Sequence, residues 1–150
     1  MTKDSTFILL VEDNQDDIDL TLRALRMHNL ANDVVIVRDG AEAVDFLFAR
    51  GEYADRDKNH KPELILLDIN LPKMSGLEVL KQIRNYELTQ MLPVVMLTTS
   101  KQDRDVLESY VSGANSYVQK PVSFSEFTQA VKQLGIYWLI LNEVPWPSQT

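Results

Sequence analysis

The sequence predicts an α/β fold built on one parallel sheet with helices on both faces. Three observations predict it. Short, continuous apolar runs recur along the chain, the pattern of strands buried on both sides. Between them, apolar residues return at helical spacing. The two patterns alternate five times, which calls for crossover connections and therefore parallel strands.

The first run is FILLV (Phe7–Val11), followed by a helical pattern through Ile18, Leu22, Leu25 and Met27. VVIV (Val34–Val37) is the second run. Ala41, Val44, Leu47 and Phe48 follow it, with Phe46 beside them. LILL (Leu64–Leu67) precedes Leu77, Leu80 and Ile83, and PVVML (Pro93–Leu97) precedes Val106, Tyr110 and Val111. The last and shortest run, SYV (Ser116–Val118), leads to Phe124, Phe127, Ala130, Val131 and Leu134. Gly40 and Gly76 punctuate helix starts, and Gly113 follows a helix end.

A chain of 150 residues, 45% hydrophobic and 25% charged, suits a single soluble domain spanning residues 1–150. Its net charge of −7 argues against nucleic acid as a direct partner. The absence of cysteine excludes disulfides and thiolate metal sites. The apolar run in MTKDSTFILLVED is too short for a signal peptide, and no stretch approaches the roughly 20 residues that span a bilayer. A cytoplasmic protein with no membrane contact is the expectation, with no repeat, linker or output domain.

Two regions exceed a minimal five-unit domain. Gly51–Pro62, GEYADRDKNHKP, reads as a solvated connection, although long loops in compact domains can carry function. Ile136–Leu141, IYWLIL, opens an extended apolar tail over residues 136–150. It is apolar on nearly every side, so one core-facing stripe cannot use all of it. Extra core would explain it; a partner or dimer surface explains it better.

In an open parallel sheet, ligands bind beyond the carboxyl ends of the strands. Glu12 and Asp13 follow the first run, Asp68 and Asn70 the third, Thr98 the fourth, and Lys120-Pro121 the fifth. Arg38-Asp39-Gly40 follows the second, with no comparable cluster. Taken singly these have ordinary readings. Asp13 or Asn14 can cap a helix, Asp68 can be a solvated turn residue, and Lys-Pro is a common turn. Their joint placement does not follow from a solvated surface. Three converging carboxylates repel one another, and a hard divalent cation such as Mg2+ relieves the conflict. Lys120 and Thr98 add a positive charge and a hydroxyl donor for phosphoryl oxygens. The set amounts to phosphoryl-transfer chemistry with Asp68 as nucleophile.

The stretches ILLVED (Ile8–Asp13), LILLDINLPKMSG (Leu64–Gly76), PVVMLTTS (Pro93–Ser100) and SYVQKP (Ser116–Pro121) resemble the response-regulator receiver domain of two-component signalling. The resemblance implies a doubly wound, flavodoxin-like sheet of five parallel strands in the order 2-1-3-4-5. It implies Asp68 as phospho-acceptor from a histidine kinase. Glu12, Asp13, Asp68 and the backbone carbonyl of Asn70 would hold Mg2+. Thr98 would be the switch hydroxyl, Lys120 the phosphate-binding lysine, and Tyr117 the aromatic that reports the activated state. Pro121 matches a proline after a cis peptide bond. Glu12 stands where the family more often has Asp.

RDGAEAVDFL (Arg38–Leu47), the GEY loop, INLPKMSG and the aromatic C-terminal end resemble the stand-alone regulators of phytochrome histidine kinases. That implies a photoreceptor kinase as donor, a homodimer, and a signalling switch in place of an enzyme. Two other readings stand beside it. An aspartyl-phosphate phosphatase would place a second acid where Asn70 stands. A receiver-like module binding partners without phosphorylation would not need Glu12, Asp13, Asp68, Thr98 and Lys120 together.

Overall fold

The computed structural model describes residues 6–26, 33–99, 113–114 and 116–135. Successive side chains of a strand point to opposite faces, and here both faces are apolar. Phe7, Leu9, Val11, Ile65, Leu67, Val94 and Met96 enter one buried cluster. Ile8, Leu10, Leu64, Leu66, Val95 and Leu97 enter another. The strands are β1 (Phe7–Val11), β2 (Asp33–Val37), β3 (Leu64–Asp68), β4 (Val94–Thr98) and β5 (Ser116–Gln119). All pairings are parallel, and the order is β2-β1-β3-β4-β5. This is the doubly wound receiver-type sheet.

Helices α1 (Gln15–Arg26) and α4 (Phe124–Leu134) cover one face through Ile18, Leu25, Phe127, Ala130 and Val131. Helices α2 (Gly40–Phe48) and α3 (Gly76–Asn85) cover the other through Val44, Phe46, Leu47, Val79, Leu80 and Ile83. Their starts are set locally. The side chains of Asp39, Ser75 and Ser123 each accept the N–H three residues on, satisfying donors the helix leaves free. The fourth helical pattern (Val106, Tyr110, Val111), Met27 and the apolar tail with Tyr137 and Trp138 lie outside the described residues.

Two expectations need correction. β2 is not buried on both faces: Val34, Val35 and Ile36 are half-buried, and of this run only Val37 is fully covered. It is an edge strand, with no neighbouring strand on one side among the described residues. Gly51–Pro62 is not simply solvated. A 3-10 turn at Gly51–Tyr53 places the Tyr53 hydroxyl to donate to Glu42 Oε2 at 2.6 Å. The Arg56 guanidinium lies 3.9 Å over the Phe46 ring and donates to the Phe46 and His60 carbonyls at 2.5 and 2.6 Å. His60 packs edge-on against Phe7, with ring centroids 5.0 Å apart. Aromatic and cation–π contacts fix this connection to the core.

The two helix-starting glycines mark close backbone approaches. A Cβ at Gly40 would lie 2.0 Å from the Met74 carbonyl oxygen, and one at Gly76 2.2 Å from that of Asp68. The loop after β3 is thereby pressed against the starts of α2 and α3. Gly40→Ala is expected to cost about 2 kcal/mol through forced backbone displacement, read as a lower urea midpoint with unchanged slope. An unchanged midpoint would show that this contact has room to spare.

Candidate functional site

Parallel strands carry their carboxyl ends to one edge, and that edge collects the charged residues that follow them. The Glu12 N–H donates to the Val37 carbonyl at 3.0 Å, extending the β1–β2 ladder by one residue. The Lys120 N–H donates to the Thr98 carbonyl at 2.7 Å and does the same for β4–β5. Asp68 is the last residue of β3 and pairs with Leu97. The sheet thus aims Glu12, Asp68 and Lys120 into one volume.

There the Lys120 ammonium meets three carboxylates. It donates to Glu12 Oε1 at 3.1 Å, to Asp68 Oδ2 at 3.1 Å and to Asp17 Oδ2 at 3.0 Å. The Lys120 side chain is 7% exposed, those of Glu12 and Asp68 are 0% and 2%, and that of Asp17 is 30%. The second carboxylate oxygens of Asp68 and Glu12 are held from the backbone. Asp68 Oδ1 accepts the Asn70 N–H at 3.2 Å, and Glu12 Oε2 accepts the Asn14 N–H at 3.3 Å.

Burial drives the electrostatics. It pushes the Glu12 carboxyl up to about 7, helped by the Asp68 charge and opposed by the bond from Lys120. Burial also works against the Lys120 charge and is the largest single influence on it. The bond to Asp17 and the charges of Asp68 and Glu12 outweigh it, so Lys120 holds its proton more tightly than an ordinary lysine.

Glu12, Asp13 and Asp68 each present one oxygen within 4.8 Å of the others. Asp13 is exposed, so the cluster opens to solvent on its side. An all-oxygen, carboxylate-rich donor set fits a hard divalent cation and does not fit a soft one. One lysine cannot balance this many acids, so negative charge remains for a cation to offset.

The structure brings Glu12, Asp13, Asp68 and Lys120 together. Thr98, 1% exposed, ends β4 beside Asp68's strand. Asn70 is exposed two residues past Asp68. Tyr117 pairs with Met96, is half-buried and packs on the α2/α3 side of the core. The Lys120–Pro121 bond is cis.

Sequence reasoning missed Asp17. Asp17 lies in the first turn of α1, and no sequence pattern ties it to Lys120. Sequence reasoning also undervalued Arg38-Asp39-Gly40. Arg38 Nη1 donates to the Asp13 carbonyl at 3.3 Å, and Nη2 bonds the Gln15 side chain. Asp39 pairs with Lys73 at 3.5 Å, and the Gly40 N–H donates to the Pro72 carbonyl at 3.4 Å. These three residues tie the acidic loop to the loop after Asp68.

Comparison with known proteins adds three relatives. The family profile for the response regulator receiver domain matches residues 8–132. The response regulator Rcp1 of Synechocystis sp. is 39% identical over 92% of this chain and 92% of its own. A solved form of Rcp1 is described as Mn(2+)-bound and superposes with a TM-score of 0.70, at 37% identity over 95% and 99% of the two chains. The bacteriophytochrome response regulator AtBRR is 46% identical, with a TM-score of 0.85 over 93% of this chain and 99% of its own. The phosphorylated cyanobacterial phytochrome response regulator RcpA is 42% identical, with a TM-score of 0.71 over 90% and 94%.

If the trio holds a divalent cation, Asp13→Asn is expected to weaken its binding at least about tenfold while leaving the thermal midpoint nearly unchanged, because Asp13 is solvent-facing. Calorimetric titration checks it; equal affinity in both proteins would remove Asp13 from the cation site.

Proposed function

The chain belongs to the response regulator receiver domain family, and on that footing we propose that it is a stand-alone signalling switch phosphorylated on Asp68. Receiver domains of this family take a phosphoryl group from a histidine kinase. The observation that carries the reading here is the buried Asp68 carboxylate, 3.1 Å from a lysine ammonium and clustered with Glu12 and Asp13.

An Asp68 carboxylate oxygen attacks the phosphorus of a phosphohistidine. The new O–P bond forms as the P–N bond breaks, and the histidine nitrogen leaves with the bonding electron pair. Lys120 already donates to Asp68 Oδ2. A small rotation of its ammonium transfers that donor to a phosphoryl oxygen, where charge is developing. Mg2+ is the proposed cation, held by Glu12, Asp13, Asp68 and the Asn70 carbonyl; when bound it offsets charge on the phosphoryl oxygens. Thr98 gives a hydroxyl donor from the adjacent strand end.

The switch follows from local charge. A phosphoryl group on Asp68 favours an inward position of Thr98, and Tyr117 takes the space released. The surface carried by β5 and α4 then changes partner preference. The proposed donor is a phytochrome-type photoreceptor kinase, a reading supported by the likeness to Rcp1, AtBRR and RcpA. We assign the chain to the cytoplasm as a homodimer without independent enzymatic turnover. Among the described residues no helix is long and apolar enough to cross a membrane.

With Mg2+ and acetyl phosphate, the wild-type chain is expected to gain the mass of one hydroxylamine-labile phosphoryl group, and Asp68→Ala none. Full labelling of that variant would overturn the assignment. In transfer from a panel of histidine kinases, a phytochrome-type kinase should be fastest; an equal or faster unrelated kinase would overturn the photoreceptor reading.

A further inference from the structure

Asp17 has no part in the chemistry so far, yet it takes one of the three hydrogen bonds an ammonium can donate. We propose that Asp17 is the positioning residue for Lys120, the fixed anchor from which that lysine reaches the phosphoryl group. The inference rests on the reading of Asp68 as phospho-acceptor.

The three partners of Lys120 lie at nearly equal distances, but they are not equivalent. Glu12 and Asp68 belong to the carboxylate trio suited to a cation, and Asp17 does not. Asp68 is also the reacting group. Both are therefore drawn to new partners when a cation binds or a phosphoryl group is added. Asp17 keeps its bond to Lys120 free of those changes.

Its own position is fixed independently of the sheet. The Asp17 N–H donates to Asn14 Oδ1 at 2.9 Å, which caps the start of α1. The carboxylate lies in the first helical turn, where the helix dipole favours negative charge. An anchor on α1 holding a lysine from the end of β5 keeps the ammonium beside Asp68 when its other contacts rearrange. Without it the charge of Lys120 remains, but its aim is lost.

The test compares the wild-type chain with Asp17→Ala, Asp17→Asn and Asp17→Glu. Phosphorylation by acetyl phosphate at saturating Mg2+ is followed by intact mass, with Mg2+ affinity and thermal midpoint measured in parallel. Misplacing a catalytic group by about an ångström is costly, so the maximal rate of Asp17→Ala should fall about tenfold. The half-saturating donor concentration should change less. Asp17→Asn, which keeps an acceptor oxygen, should be intermediate, and Asp17→Glu should recover part of the rate. Mg2+ affinity and thermal midpoint should stay near wild type.

Unchanged rates would make Asp17 an ordinary surface ion-pair partner. Faster rates would make it a restraint on Lys120. A parallel loss of Mg2+ affinity would place it in the cation site. Each of these overturns the proposal. Should Asp17→Ala fail to fold, the contrast between Asn and Glu decides it. A wild-type chain that takes no phosphoryl group would instead overturn the assignment of Asp68, a failure visible before any variant is compared.

Discussion

The ammonium of Lys120, shared among Glu12, Asp68 and Asp17, is the interaction on which the reactive edge depends. Two of those carboxylates are almost wholly out of water. Burying an ion without a partner costs several kcal/mol, and removing one member of a buried pair costs about 3–5 kcal/mol. The lysine therefore makes a buried carboxylate tolerable at the end of an apolar strand. It also ties β1, β3, β5 and α1 to one point, so a charge change at Asp68 is felt by four elements.

The sheet sets this up. Continuous apolar runs allow β1, β3 and β4 to be covered on both faces, leaving their carboxyl ends as the place where polar side chains can gather. The loops over that edge are restrained by backbone contacts with little slack. Gly40 sits against Met74, Gly76 sits against the Asp68 carbonyl, and Arg38 holds the Asp13 carbonyl. A site built this way keeps its carboxylates close even though they repel, as the proposed cation-dependent switch requires.

Much of this was legible in the sequence, for reasons tied to particular residues. FILLV and LILL read as central strands because both faces are buried, and parallel topology then brings Glu12, Asp68 and Lys120 to one edge. VVIV looked the same but forms an edge strand; local composition does not state which strands end up at an edge. Asp17 was overlooked because its partner lies 103 residues away and nothing in the α1 pattern marks it. Arg56 was taken for a solvated charge because a guanidinium over an aromatic ring has no sequence period. The Arg38-Asp39-Gly40 contacts depend on the paths of two loops, which strand and helix patterns leave open.

The central role of Asp68 depends on where the phosphoryl group is attached. Borohydride reduction of the phosphorylated chain converts an aspartyl phosphate to homoserine, and peptide mass spectrometry locates it. The expected result is homoserine at position 68 and nowhere else. Homoserine at position 13 or 17, or a phosphoryl group that resists reduction and stays on a hydroxyl or a histidine, would contradict the central role of Asp68 and its lysine.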